Sequence, residues 1–110
     1  MAVATFWQKG AVIDYKNETG AEIPMNTVVN LTTRIGITGA PIPAGEVGAL
    51  YVENTWKVVK AAGAIAIGAL VYYDPVADNF TTTKTSNIPA GWAVAPAGAD
   101  DTEVIVKLQG

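Results

Sequence analysis

The tripeptide Pro-Ala-Gly occurs three times in this chain, at Pro43-Ala44-Gly45, Pro89-Ala90-Gly91 and Pro96-Ala97-Gly98. That punctuation leaves little room for a long helix. Proline pre-sets φ for the first corner of a turn, and glycine allows the positive φ needed two positions later. Each triplet predicts a turn between strands, with Glu53-Asn54 and Asp78-Asn79 as further turn candidates. Between the turns lie short β-type runs. The clearest is 103–109. Val104, Val106 and Leu108 share one face, and Glu103, Lys107 and Gln109 share the other, with Ile105 among them. A period of two marks a strand buried on one side. Further strands are predicted at 11–16, 27–32, 35–38, 47–53, 56–60, 70–74, 79–83 and 92–95. No segment reads as a helix of three or more turns. Many short strands at roughly 8–12-residue spacing predict an all-β fold, a small β-barrel or β-sandwich.

The thirteen residues from Ala61 to Tyr73 carry no charge. A membrane-spanning helix needs about 20 apolar residues, and this run is closed by Lys60 on one side and Asp74-Pro75 on the other. Gly63 and Gly68 also disfavour a helix. The run is read as an apolar turn over 61–68 followed by a strand over 69–73 buried on both faces. A short helical turn within 61–67 is the alternative.

A repeated pattern supports that reading. Ile23-Pro24-Met25-Asn26-Thr27-Val28-Val29 matches Ile65-Ala66-Ile67-Gly68-Ala69-Leu70-Val71: an apolar residue, two spacers, Asn or Gly, one spacer, then an apolar pair. Asn and Gly are the residues that tolerate left-handed backbone. Pro43-Ala44-Gly45 precedes the strand predicted at 47–53, as Pro96-Ala97-Gly98 precedes the one at 103–109. Two related β units packed together would account for this, although turn-rich β chains also produce such short matches by chance.

Composition narrows the function classes. The chain has 110 residues, half of them hydrophobic and 15% charged, enough for one core. The net charge is −3, and the seven Lys and Arg residues are scattered singly between Lys9 and Lys107. Nucleic-acid binding needs clustered cations to replace phosphate counterions, so none is expected. Cysteine and histidine are both absent, which removes thiol chemistry, the commonest general base and the commonest metal ligand. The opening MAVATFWQKG has neither the positive nor the apolar region of a signal peptide.

Catalytic motifs are missing. The Lys84-Thr85 pair follows Thr83 rather than Gly, so there is no phosphate-binding P-loop. Ser86 is the one serine, with no histidine to activate it. Asp100, Asp101 and Glu103 form the densest acidic cluster, but neighbouring turn residues rarely converge on one ion, and a solvated turn explains them. Asp74, Asp78 and Asn79 flank another turn, where capping of a hairpin suffices. Thr81-Thr82-Thr83 is explained by strand propensity. No catalytic residue, metal ligand, cofactor or small-molecule substrate is expected.

The aromatic residues say more. Phe6 and Trp7 precede the first predicted strand. Exposed aromatics in an arm dock onto partners; buried ones would close one end of the β domain, and the sequence leaves both open. Tyr51, Trp56, Tyr72, Tyr73, Phe80 and Trp92 fall in predicted strands and are read as core or subunit-interface residues.

The order and spacing of several segments carry a resemblance. They are Gly45-Glu46-Val47-Gly48 running to Val52, and Val59-Lys60-Ala61-Ala62-Gly63. Ile67-Gly68-Ala69-Leu70-Val71-Tyr72-Tyr73-Asp74 and Thr81-Thr82-Thr83 follow. The end is Ala90-Gly91-Trp92-Ala93-Val94 and then Val104-Ile105-Val106-Lys107-Leu108-Gln109-Gly110. With Phe6-Trp7-Gln8-Lys9-Gly10 and Ile13-Asp14-Tyr15 at the start, the chain resembles the small β-rich bacteriophage capsid cement proteins of the DUF2190 type. It departs from them at Lys9, where an acidic residue is common, at Trp7, which replaces a smaller apolar residue, and over 17–34, which matches less well. Members of that family have often carried the label of RecA/RadA-like recombinases. The lack of a P-loop and of a basic face, and the short chain, argue against that activity here.

The resemblance implies a structural virion protein that binds the outer surface of the phage head and stabilises the expanded capsid. It implies a homotrimer, with the major capsid protein as partner. It also implies a place on the virion surface, and in the host cytoplasm during assembly, with no enzymatic activity, membrane or nucleic acid involved. The domain expectation is an N-terminal arm over 1–10 and a single β domain over 11–110. Within the arm, Thr5, Phe6, Trp7, Gln8 and Lys9 are the candidate capsid-binding residues. An extended arm can add a strand to the edge of a partner's sheet. The alternative is a virion-surface or host-interaction binding module without enzymatic activity.

Overall fold

The computed structural model describes residues 3–6 and 8–109. Among them are nine strands and no helix: β1 (Val12–Lys16), β2 (Val28–Asn30), β3 (Ile35–Thr38), β4 (Val47–Tyr51), β5 (Thr55–Val59), β6 (Leu70–Asp74), β7 (Asn79–Thr81), β8 (Ile88–Ala93) and β9 (Glu103–Leu108). All strand pairs are antiparallel. They form one sheet in the order β1-β4-β3-β2 and a second in the order β5-β9-β8-β6-β7. The sheets stack as a sandwich, and neither closes into a barrel.

The two sheets are built on one plan. Matching β1 with β5, β2 with β6, β3 with β8 and β4 with β9 makes their strand orders the same. The second half adds β7 to its edge. Hydrogen bonds outside the strands repeat with the halves. Ile23 and Ile42 exchange N–H···O bonds of 2.9 and 2.8 Å, and so do Ile65 and Ala97. The Asn26 N–H donates to Thr38 O at 2.9 Å as the Gly68 N–H donates to Ala93 O at 2.7 Å. Asn26 and Gly68 have φ of 62° and 84°, the left-handed backbone that Asn and Gly accept at least cost. The pattern shared by 23–29 and 65–71 is thus one turn used twice. The Pro-Ala-Gly correspondence shifts by two residues, since Ala97 takes the place of Ile42 and Pro96 that of Pro41.

Two of the three triplets are not turns. In Pro96-Ala97-Gly98, Ala97 makes the bridge to Ile65 and the turn follows at Ala99-Asp100. Pro89-Ala90-Gly91 lies inside β8, an interior strand, so the strand runs over Ile88–Ala93 rather than 92–95. Proline has no N–H to give a ladder and is tolerated within sheets at irregular positions. Pro89 sits where the register against β6 shifts, opposite Tyr72. Gly91 is needed there because a Cβ would fall 1.8 Å from the Lys107 carbonyl oxygen. Pro43-Ala44-Gly45 does turn, with Gly45 at φ 78°, as do Asn54 at 78° and Asp78 at 55°.

The main core joins both sheets. Ile35 and Ile37 from β3 are buried with Val58, Val71, Tyr73, Phe80, Val104, Val106 and Leu108. In β9, Val104, Val106 and Leu108 are buried while Glu103, Ile105 and Lys107 are exposed, as alternation predicts. Strand β6 differs from expectation: Val71 and Tyr73 are buried, Leu70 is exposed and Tyr72 half-buried. It is covered on one face only. The apolar run 61–68 contains the bridge at Ile65 and a turn at Ile67-Gly68, with no helix. No helix among the described residues is long and apolar enough to cross a membrane.

Candidate functional site

Thr5, Phe6, Gln8 and Lys9 lie ahead of β1, belong to no strand and are exposed. Phe6 is 83% exposed and Val3 92%, so neither side chain closes an end of the sandwich. Trp7 lies outside the described residues, as do Met1, Ala2 and Gly110. The segment leads directly into β1, which is an edge strand paired only with β4. An edge strand keeps one row of backbone N–H and C=O groups free for a further strand. An extended segment with an exposed aromatic, continuous with a sheet edge, can pair its backbone and bury its ring on another protein.

The remaining strand aromatics divide by face. Tyr73 and Phe80 are buried with ring centroids 5.4 Å apart. Tyr51 and Trp56 meet edge to face at 5.6 Å, one from each sheet, and the Trp56 indole N–H donates to Glu53 O at 2.9 Å. Trp92 and Tyr72 stand half-buried on the outer face of the second sheet. The sequence did not separate these groups, because which side of a strand is covered depends on the partner sheet.

The polar groups do structural work. Asp74 Oδ1 accepts from the N–H groups of Val76 (2.9 Å) and Ala77 (3.1 Å). Asp101 Oδ2 accepts from Gly98 N–H at 2.7 Å. Both carboxylates therefore brace turns. Asp78 accepts from the Tyr73 hydroxyl. Burial, and next the Asp78 hydrogen bond, push the Tyr73 hydroxyl above its ordinary value. Among the described residues no three His, Cys, Asp or Glu side chains are grouped to hold a metal ion.

A groove of about 410 Å³ runs between the sheets, lined by Asn26, Thr27, Val28, Trp56, Lys57 and Asp78 among others. It offers one amine and one carboxylate but no nucleophile with a base beside it.

The family model described as phage cement protein matches residues 7–108, nearly the whole chain. No curated protein and no solved structure matches it. The chain belongs to the phage cement protein family, and with that membership comes a structural, capsid-binding role on the virion.

Proposed function

We propose that this protein binds the outer surface of the phage head, stabilises the expanded capsid against the pressure of packaged DNA, and does so as a homotrimer. The major capsid protein is its partner, and free subunits are made in the host cytoplasm before they reach the shell. Cement needs no catalytic group: many weak contacts repeated on a symmetric shell sum to large stabilisation by mass action and avidity.

The observation that carries the reading is the exposed segment ahead of β1, with Phe6 83% exposed. Residues 1–10 act as an arm and 11–110 as the β domain that holds it. Thr5, Phe6, Trp7, Gln8 and Lys9 are the capsid-binding residues, with Phe6 and Trp7 as anchors that bury apolar area on the head. Gln8 and Lys9 fall within the family match and Thr5 and Phe6 just ahead of it.

Deletion of residues 1–9 tests this. The truncated protein should unfold at the temperature of the full chain and fail to co-sediment with expanded heads. Truncated protein that still saturates heads would remove the arm from the binding site. Light scattering tests the assembly. A mass near three times the 11.4 kDa of the chain supports the trimer, and a single-chain mass on saturated heads counts against it.

A further inference from the structure

The two halves of the chain do not meet as a symmetric pair. Residues opposite one another on neighbouring strands point to the same side. The row Val12–Tyr51–Ile37–Val28 therefore lies on one face of the first sheet, and Ile13–Leu50–Thr38 on the other. The first of these faces covers the second sheet. Ile37 and Ile35 are part of the main core, Val28 packs against it, and Tyr51 meets Trp56. The covered face of the second sheet carries Trp56, Val106 and Ala93, and these are the counterparts of Ile13, Leu50 and Thr38. Opposite kinds of face are in contact, so the packing is head to tail. A head-to-tail contact leaves one unused face at each end.

Both of these faces present apolar side chains, on the second sheet beside Lys57, Glu103 and Lys107, and on the first around the already buried Val29, Thr38 and Leu50. On the second sheet the counterparts of Val28, Ile37 and Tyr51 are Leu70, Trp92 and Lys107, which again form one cross-strand row. Leu70 is 56% exposed, Trp92 half-buried, and Val59 and Ile105 are exposed on the same side. On the first sheet Tyr15 and Leu31 flank the buried Leu50 and are only half-buried. Their counterparts Val58 and Tyr73 are buried in the core that Ile35 and Ile37 complete.

We propose that the Leu70–Trp92–Lys107 face of one copy packs on the Ile13–Tyr15–Leu31 face of a second copy. This continues between chains the interface that already joins the two sheets within one. The occupant is a second copy because the matching surface is the other end of this same chain. The inference rests on the self-association proposed above and assigns the faces that make it. A head-to-tail contact closes into a ring or runs on as a filament. Three copies in a ring would contribute six sheets, two from each.

The contact also brings unlike chain ends together. The Val52 N–H donates to Ala11 O at 3.0 Å, and the Leu108 N–H to Asn54 O at 3.0 Å. Leu108 is thus the counterpart of Val52, Gln109 of Glu53, and Ala11 of Asn54. Within the chain, Glu53 and Asn54 link the two sheets. Between copies, Gln109 of one chain lies beside Gly10 and Ala11 of the next, and the arm of that next copy springs from the junction.

The chain has no cysteine, so introduced thiols report cleanly. Gln109 is exposed, and an added Cβ at Gly10 meets nothing within 4 Å. A mixture of Gln109→Cys protein and Gly10→Cys protein, treated with a short bis-maleimide in solution and again on saturated heads, should give covalent heterodimers. Neither variant alone should cross-link to itself. Absence of heterodimers in both settings overturns the interface, and so does efficient self-linking of either variant, which would mean like faces meet. Leu70→Glu supplies a second test at a position too exposed to endanger the fold. Its mass should fall to that of one chain with the unfolding temperature of the subunit kept; an unchanged oligomer overturns the proposal. Heads saturated by non-cross-linking single copies would sink this interface and leave the cement reading standing. Cross-linked rings that ignore heads would sink the cement reading and uphold the interface.

Discussion

Asn17 and Lys60 occupy the same place in the two halves of the chain, and both turn a buried polar head onto backbone carbonyls. Each follows the first strand of its half. The Asn17 N–H donates to Glu46 O at 2.9 Å as the Lys60 N–H donates to Thr102 O at 3.0 Å. Asn17 Nδ2 donates to Ala21 O (2.7 Å) and Ile42 O (2.8 Å), and Lys60 Nζ to Ala61 O (3.1 Å) and Asp101 O (3.0 Å). One site thus uses an amide and the other an amine to hold the loop that follows the strand.

Removing the Lys60 head leaves the Ala61 and Asp101 carbonyls without that donor, at a cost of roughly 1–3 kcal/mol per orphaned group. Removing the Asn17 head takes one of two donors from Ile42 O, which keeps the Ile23 N–H, and from Ala21 O, which keeps the Thr19 hydroxyl. Asn17→Ala should be the more damaging change, because Asn17 Oδ1 also accepts from the Thr19 N–H and hydroxyl. Its expected cost is about 2–4 kcal/mol, a fall in Tm of the order of 10 °C or more at roughly 4–8 °C per kcal/mol. Lys60→Met keeps the aliphatic stem and should cost about 1–3 kcal/mol. Thermal unfolding followed by circular dichroism reads both. A Tm within about 2 °C of the parent for Asn17→Ala would contradict this account.

Tyr73 makes stability depend on alkaline pH. Its hydroxyl loses its proton near 10.0 when unfolded and holds it to higher pH when folded, first because it is buried and then because it donates to Asp78. Above pH 10 the unfolded chain therefore binds fewer protons than the folded one, and stability falls as pH rises. Below that pH this contribution is fully present. Tm should drop between pH 9 and pH 11 in the parent and drop by less in Tyr73→Phe, even though the variant starts lower for want of the hydrogen bond. Equal drops in the two proteins would show that Tyr73 is not the group responsible.

Legibility followed the origin of each feature. Strand β9 was readable because its buried residues alternate without interruption from Val104 to Leu108. The duplicated turn was readable at Asn26 and Gly68, where backbone conformation restricts the residue type. Pro89 misled, since a proline that ends a strand and one that sits at a register shift look alike until the neighbouring strand is known. Leu70 misled in the same way: in an uncharged run it reads as core, yet its face is one that none of the described residues covers. The head-to-tail contact of the sheets was hidden for that reason, whereas the exposed aromatic ahead of β1 was visible as a candidate from the first ten residues.

The chain's two phenylalanines separate stability from attachment. Phe80 lies on β7, the strand that only the second half possesses, and it is buried against Tyr73. Its carbonyl accepts from the Ala61 N–H at 2.8 Å, so β7 closes the core and anchors the loop after β5. Phe80→Ala should cost about 3–5 kcal/mol through the lost contacts and the cavity left behind, a large share of the roughly 5–15 kcal/mol that holds an ordinary domain folded. Phe6 contacts no core. Phe6→Ala should stay within about 0.5 kcal/mol of the parent while weakening co-sedimentation with heads. Chemical denaturation and head binding, measured side by side, should therefore rank the two variants in opposite order per unit of folded protein. A Phe6→Ala variant that melts early would place that ring in the fold, and one that binds heads with parental affinity would leave the arm without its anchor.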